Sequence, residues 1–159
     1  MIEKTFSDYS IRGMVKDDIS KVMEIEKCSF NSPWSENAFF HELEKNFLAT
    51  YFVFEHIHEE GKELFAYGGY WLIQDDCHIT NIAVDPNYRG IGVGRVVLIS
   101  LLTHAKERGA TRATLEVRKS NESAIRLYQK LGFEQLGIRP NYYQDNNEDA
   151  IIMYKIIEK

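Results

Sequence analysis

"NIAVDPNYRGIGVGRVVLISLL", residues Asn81 to Leu102, is the stretch on which the reading of this chain turns. The apolar run Ile82-Ala83-Val84 meets Asp85-Pro86-Asn87, a turn signal. Gly90, Gly92 and Gly94 follow, and a helical apolar pattern starts at once, with Val97, Leu98, Leu101 and Ala105 on one side. Glycines at the mouth of a helix cost entropy and add nothing to a core. They make sense if a ligand must come very close to the main chain. A strand, a glycine loop and a helix N-terminus together form an anion site, because free N–H groups and the positive end of the helix dipole converge there. Arg89 and Arg95 flank this one, so the expected ligand carries phosphates. A tight turn of small residues is the competing reading; it suits one glycine better than three.

Working outward, the spacing predicts a mixed α and β chain. A short first strand closes near Ile11, and a helix starts near Asp17 or Asp18, with Ile19, Val22, Met23 and Glu26 at turn spacing. A second helix is expected after Ser32-Pro33, with Ala38, Phe39, Leu43 and Phe47 as its face. Ala49 to Ile57 and Leu64 to Gln74 read as an antiparallel hairpin joined by the polar turn EEGKE, and Cys77 to Val84 as a third strand. After the helix from Val93 to Glu107, stopped by Gly109, Arg112 to Arg118 alternates as a strand: Leu115 and Val117 point one way, Thr114, Glu116 and Arg118 the other. A helix from Glu122 to Leu131 ends at Gly132-Phe133, and strands near Glu134 to Pro140 and Ala150 to Ile157 enclose a polar loop. The order βααβββαβαββ is an α+β or mixed α/β fold in a single domain, 1–159.

Composition narrows the function classes. The chain is 44% hydrophobic and 27% charged, ordinary for a soluble globular protein, with no apolar run of about 18 residues that could span a bilayer. MIEKTFSDYSIRG has no apolar segment that would mark it for secretion. Cys28 and Cys77 stand far apart without metal-type or CxxC spacing, which fits a reducing, cytoplasmic setting better than a disulfide scaffold. A net charge of −5 argues against a general nucleic-acid binder and mildly favours a basic partner. His56-x-His58 sits in a Glu-rich turn without a third ligand, so no metal is expected there.

Two common phosphate motifs fail. A nucleotide P-loop needs GxxxxGK[ST], and no Lys-Ser or Lys-Thr follows these glycines. The dinucleotide fingerprint GxGxxG has its acid about 20 residues on, which Glu116 satisfies, but the spacing here is GxGxG and the preceding strands form an antiparallel meander. What remains is Arg89-x-x-Gly92-x-Gly94. With "LEVRKSNESAIRLYQKLGF" and the element order above, it resembles the GCN5-related N-acetyltransferases, whose acyl-CoA signature is R/Q-x-x-G-x-G/A after a strand. "NSPWSENAF", "TNIAVDPNYRG" and "GIRPNYYQDNNEDAIIMYK" are similar, over nearly the full chain, to the branch that acetylates the N-terminal amine of a small-subunit ribosomal protein. The longer polar turn from His56 to Glu63 departs from that pattern.

The resemblance implies acetyl-CoA as cosubstrate. Its diphosphate would rest on the main chain of Gly90, Ile91, Gly92, Val93, Gly94 and Arg95, within the motif that Arg89 opens, and its pantetheine arm would pair with a splayed strand at Ile82, Ala83 and Val84. Asn121 would bind the cofactor through its side chain; a helix cap is the compatible local reading. Glu116 would be the base that deprotonates the amine, against the alternative of a carboxylate pairing across strands. Tyr128 would donate to the thioester sulfur, against the alternative of a core aromatic. Tyr142, Tyr143, Glu148 and Asp149 flank a loop that could close over a positively charged peptide end, hairpin packing being the alternative. Two further functions stay open: the same chemistry on a lysine or small amine, and a non-catalytic acyl-CoA-binding module.

Overall fold

A computed structural model describes residues 8–158, so part of the N-terminal stretch read above lies outside the described residues. Its elements are β1 (Tyr9–Gly13), α1 (Ile19–Ser29), α2 (Glu36–Glu44), β2 (Ala49–His58), β3 (Gly61–Ile73), β4 (Asp76–Val84), α3 (Val93–Glu107), β5 (Arg112–Arg118), α4 (Glu122–Lys130), β6 (Glu134–Tyr143) and β7 (Glu148–Ile156). They follow the order expected from the sequence. The strands form one sheet, β1-β2-β3-β4-β5-β7-β6, antiparallel throughout except between β4 and β5.

The sheet buries both faces. Val97, Leu98, Leu101 and Ala105 of α3 are fully buried on one side, against Tyr70, Leu115 and Val117 among others. Val22 and Ile25 of α1 and Phe39 of α2 seal the other side, over Tyr51, Val53 and Tyr67. Gly68 lets α3 approach: a Cβ there would sit 2.7 Å from Val97 Cγ1 and 3.0 Å from Leu101 Cδ1. Alternation in β5 is as read, with Ala113, Leu115 and Val117 buried and the intervening side chains on the opposite face.

Some local expectations need correction. Helix α2 is capped by Ser35, whose hydroxyl accepts from Ala38 N at 3.1 Å, and Ser32-Pro33 lies in the chain entering it. Phe47 falls beyond the helix and is 95% exposed. His56 and His58 belong to β2, their rings 4.0 Å apart, because the hairpin strands run to a two-residue turn at 59–60. The last hairpin is longer than expected, so Tyr142, Tyr143, Glu148 and Asp149 lie at strand ends around a turn at 144–147.

The feature that positions the site is a disagreement between strands. Opposite Gly69 and Tyr70 the register of β4 slips, with Thr80 as the extra residue. A bulge of this kind bends its strand and raises the local twist. Here β4 pairs with β5 only over Asp76–His78 against Arg112–Thr114. Beyond that the two strands part, and β5 gives Ile79 to Val84 no partner. The result is a wedge in the middle of the sheet, closed at His78 and Thr114 and opening toward the glycine loop.

Candidate active site

The mouth of the wedge is built by the turn after β4. Asp85 Oδ1 accepts from Asn87 N at 2.9 Å, and Tyr88 is buried beneath. Gly90 (φ 78°) and Gly92 (φ 90°) adopt left-handed conformations, and nothing lies within 4 Å of the position a Cβ would take on either. Gly92 is the residue from which α3 departs, so the free N–H groups of its first turn open onto this space. Gly94 behaves differently: its face is packed, a Cβ there meeting Leu127 Cδ2 at 3.4 Å. Two of the three glycines therefore bare the main chain, and the third seats α4.

Of the two flanking arginines, Arg89 is committed elsewhere. Its Nε donates to Val84 O at 2.8 Å and its Nη2 to Ser29 Oγ at 2.9 Å, tying the end of β4 to the end of α1. Its guanidinium braces the loop while its charge faces α1. Arg95 stands exposed in the first turn of α3 and makes no ion pair among the described residues. Ile82 and Val84 turn their side chains into the α3-side core and Ala83 is buried on the other side, so what this strand presents to the wedge is backbone.

Glu116 projects from β5 on the face opposite Leu115 and Val117, its side chain 16% exposed. Its Oε2 lies 3.2 Å from His78 Nε2, and its Oε1 lies 3.7 Å from Arg139 Nε. The His78 hydrogen bond, aided by both neighbouring charges, holds the Glu116 carboxyl below the usual carboxylate range despite its burial. The carboxylate thus does pair across strands, with His78 of β4 and Arg139 of β6. His78 was not legible as a site residue. Its Nδ1 lies 3.1 Å from Thr114 Oγ1, which is 3.1 Å from both carboxylate oxygens of Asp76.

Tyr128 packs on the α3-side core beside Phe133, ring centroids 5.8 Å apart. Burial pushes its phenol up to about 12, and among the described residues its hydroxyl makes no hydrogen bond. It therefore keeps a proton it can donate. Asn121 caps α4 through Oδ1, which accepts from Ala124 N at 3.2 Å, leaving its amide nitrogen outward.

The C-terminal residues divide. Arg118 lies over the Tyr143 ring at 3.9 Å and pairs with Asp145 at 2.9 Å and Glu148 at 3.4 Å. Glu148 also accepts from Ser120 N at 2.7 Å, and these donors hold its carboxyl down at about 2. Asp149 accepts from Asn141 N at 2.9 Å. Glu148 holds the hairpin to the β5–α4 turn, and the Asp149 carboxylate braces the hairpin itself. Tyr142, exposed beside Arg139, is the one of the four that faces solvent freely. Among the described residues no three His, Cys, Asp or Glu side chains converge to hold a metal, and the two cysteines are free, Cys77 being buried.

One more group was read from the sequence only as part of a helix face. Glu26 of α1 is buried, accepting from Trp34 N at 2.9 Å and from the Tyr67 hydroxyl. Desolvation raises its carboxyl above the usual range.

Comparison with known proteins places this geometry. The model of the acetyltransferase (GNAT) family matches residues 19–133. A putative [ribosomal protein bS18]-alanine N-acetyltransferase of Bacillus subtilis (strain 168) is 46% identical over 150 residues, covering 94% of this chain and 97% of the relative. The [ribosomal protein bS18]-alanine N-acetyltransferase of Escherichia coli (strain K12) is 38% identical over 146 residues, 91% of this chain and 95% of its own. The crystal structure of the ribosomal-protein-S18-alanine N-acetyltransferase from Escherichia coli superposes with a TM-score of 0.82 at 34% identity, covering 95% of each chain.

Proposed function

This chain belongs to the GNAT acetyltransferase family, and from that premise we propose that it acetylates the N-terminal alanine of a small-subunit ribosomal protein, using acetyl-CoA. The names of its relatives support the substrate. One observation carries the chemistry: a strand with unpaired backbone runs beside Glu116 and ends at a loop where Gly90 and Gly92 face open space.

The residues fit such a cosubstrate. The diphosphate would be held by main-chain N–H groups between Gly90 and Arg95, with Arg95 adding charge and Asn121 its free amide. The pantetheine arm would pair with Ile82, Ala83 and Val84 as an added strand. When bound, acetyl-CoA supplies an activated acetyl thioester whose thiol departs as the amine attacks.

The protein's own work is on protons and charge. An N-terminal ammonium has a pKa of about 8, so roughly a tenth is free amine at pH 7. Glu116 is ionised under these conditions and attracts that ammonium to the wedge. It withdraws a proton directly or through one water. Tyr128 stays protonated and donates a hydrogen bond toward the departing sulfur. A main-chain N–H of the splayed strand would hold developing negative charge, a donor worth about 3 kcal/mol in such settings.

The test is to mix the protein with acetyl-CoA and a peptide bearing the ribosomal protein's N-terminus, and to follow thiol release. Release with that peptide, and none when its N-terminus is blocked, is expected. Acetylation of an internal lysine instead would move the reading to a lysine acetyltransferase, and cofactor binding without any turnover would move it to a binding module.

A further inference from the structure

Behind the glycine loop, on the side of α3 away from α4, lies a cavity of about 180 Å³. Its floor is Phe54 of β2, Phe65 of β3 and Val93 of α3, exposed by only 1%, 2% and 5%. Its mouth is Tyr9 of β1, Ile91 of the loop and Val96 of α3, at 39%, 49% and 37%. Gly92 completes the wall, so this cavity and the diphosphate site share one stretch of main chain. The wedge is elsewhere, between β4 and β5. Phe65 is stacked on Tyr88, centroids 4.7 Å apart, so the floor also touches the turn that sets the loop.

The two sides of the shared stretch are chemically unlike. Gly94 turns to α4, where Leu127 meets it, while Val93 and Val96, three apart and so on one helix face, turn to the cavity. Every side chain lining the cavity among the described residues is apolar or aromatic, with no ionised group to hold a phosphate. Apolar surface continues around the mouth. Ile11, two residues on from Tyr9 in the same strand, and Ile99, one turn on from Val96, are 41% and 40% exposed. Exposed apolar residues scattered singly are ordinary; this many around one opening mark a binding surface.

Size and chemistry define the occupant. A dry apolar cavity of about 150 Å³ takes up benzene, so the space here suits one aromatic ring. Water is a poor filler, because it needs polar partners that these walls lack. A charged ligand would lose its hydration without replacement. The rings of Tyr9, Phe54 and Phe65 offer an aromatic guest edge and face contacts. We propose that this cavity is a second binding site, for a small uncharged aromatic molecule, and that its occupancy tightens the binding of coenzyme A.

The coupling follows from the shared wall. Gly90 and Gly92 give the free loop other backbone conformations to visit. A ring seated against Gly92 and Val93 favours the one in which Gly92 is left-handed and the first turn of α3 opens its N–H groups toward the diphosphate. Ligand and cosubstrate then select the same state, and each must raise the affinity of the other by the same factor. The site stands on the cavity alone; the coupling rests on the acetyltransferase reading.

Indole is the probe, added to the full chain. Methyl NMR is expected to show shifts at Ile91, Val93 and Val96, and none at Leu136, exposed on β6. Coenzyme A titrated calorimetrically into indole-saturated protein should bind about fivefold tighter, and coenzyme A should tighten indole equally. Val96→Phe puts a ring in the mouth and should abolish both the indole shifts and the effect of indole on coenzyme A. Unshifted methyls near the solubility limit of indole overturn the proposal. So does indole that binds without changing coenzyme A affinity, or that binds Val96→Phe as well as the parent, an adventitious additive only. Coenzyme A that fails to bind at all, with the methyl shifts intact, is the separate failure of the acetyltransferase reading; it removes the coupling and leaves the site.

Discussion

Gly92 and Gly94 stand two residues apart in the same motif, yet alanine should act on them in opposite directions. At Gly92 the backbone is left-handed, φ 90° and ψ 8°. An L side chain there costs about 1–2 kcal/mol. Stiffening the unfolded chain offsets about 0.4–1 kcal/mol of this. The net loss is about 1 kcal/mol, and for a domain of this size that lowers Tm by about 2–4 °C. Space is not the issue, since nothing lies within 4 Å of the new methyl. If the loop relaxes to relieve the strain, binding must restore it, so coenzyme A affinity should fall by up to about tenfold, each tenfold being about 1.4 kcal/mol. Gly94 is inside α3, and a Cβ there meets Leu127 at 3.4 Å, an ordinary contact. Helix propensity favours alanine by up to about 1 kcal/mol. Gly94→Ala should therefore hold or raise Tm and bind coenzyme A as the parent does. Thermal unfolding and calorimetric titration of both variants decide the matter. Equal losses in the two, or a Gly92→Ala variant as stable as the parent, would refute the assignment of left-handed backbone to one glycine and helix packing to the other.

Three further outcomes are expected. Glu116→Gln should lower kcat by about 10²–10⁴, the usual span for a lost general base, with coenzyme A affinity unchanged by titration. Tyr128→Phe removes a hydroxyl without a hydrogen-bond partner among the described residues; stability should hold in thermal unfolding while kcat falls by about a hundredfold or more. Glu148 has its carboxyl held at about 2 by Ser120, Asn146 and Arg118, against an ordinary value of 4.5. A lowered acid stabilises the fold fully above its ordinary value and loses that contribution as pH falls toward the folded one. The gap in Tm between the parent and Glu148→Gln should thus be open at pH 6 and narrow between pH 4.5 and 2. A gap that does not change with pH would contradict this.

What could be read in advance, and what could not, follows from the distance over which each feature is determined. The core face of α3 and the alternation of β5 are set by periods of 3.6 and 2 within a few residues, and both stand in the structure as read. Gly90 and Gly92 were legible for the same reason, because a left-handed backbone leaves its mark in the residue itself. Ser35 was missed in favour of Ser32-Pro33 because both satisfy the local rule for starting a helix, and the structure chooses Ser35, whose hydroxyl accepts from Ala38 N. The commitment of Arg89 to Val84 and Ser29 depends on where α1 ends relative to β4, and Ser29 lies 60 residues from Arg89 in sequence. His78 and Thr114 were illegible in a stronger sense. They are 36 residues apart and meet only because a crossover through α3 lays β5 parallel to β4 in one register; a slip of one residue would turn His78 to the other face. The wedge depends on the same contest. Thr80 interrupts the period of β4, so the strand satisfies β3 on one side only by leaving β5 on the other. The unpaired backbone that suits this fold to an extended cosubstrate is therefore the consequence of a single extra residue. Its deletion should close the sheet, and with it the site.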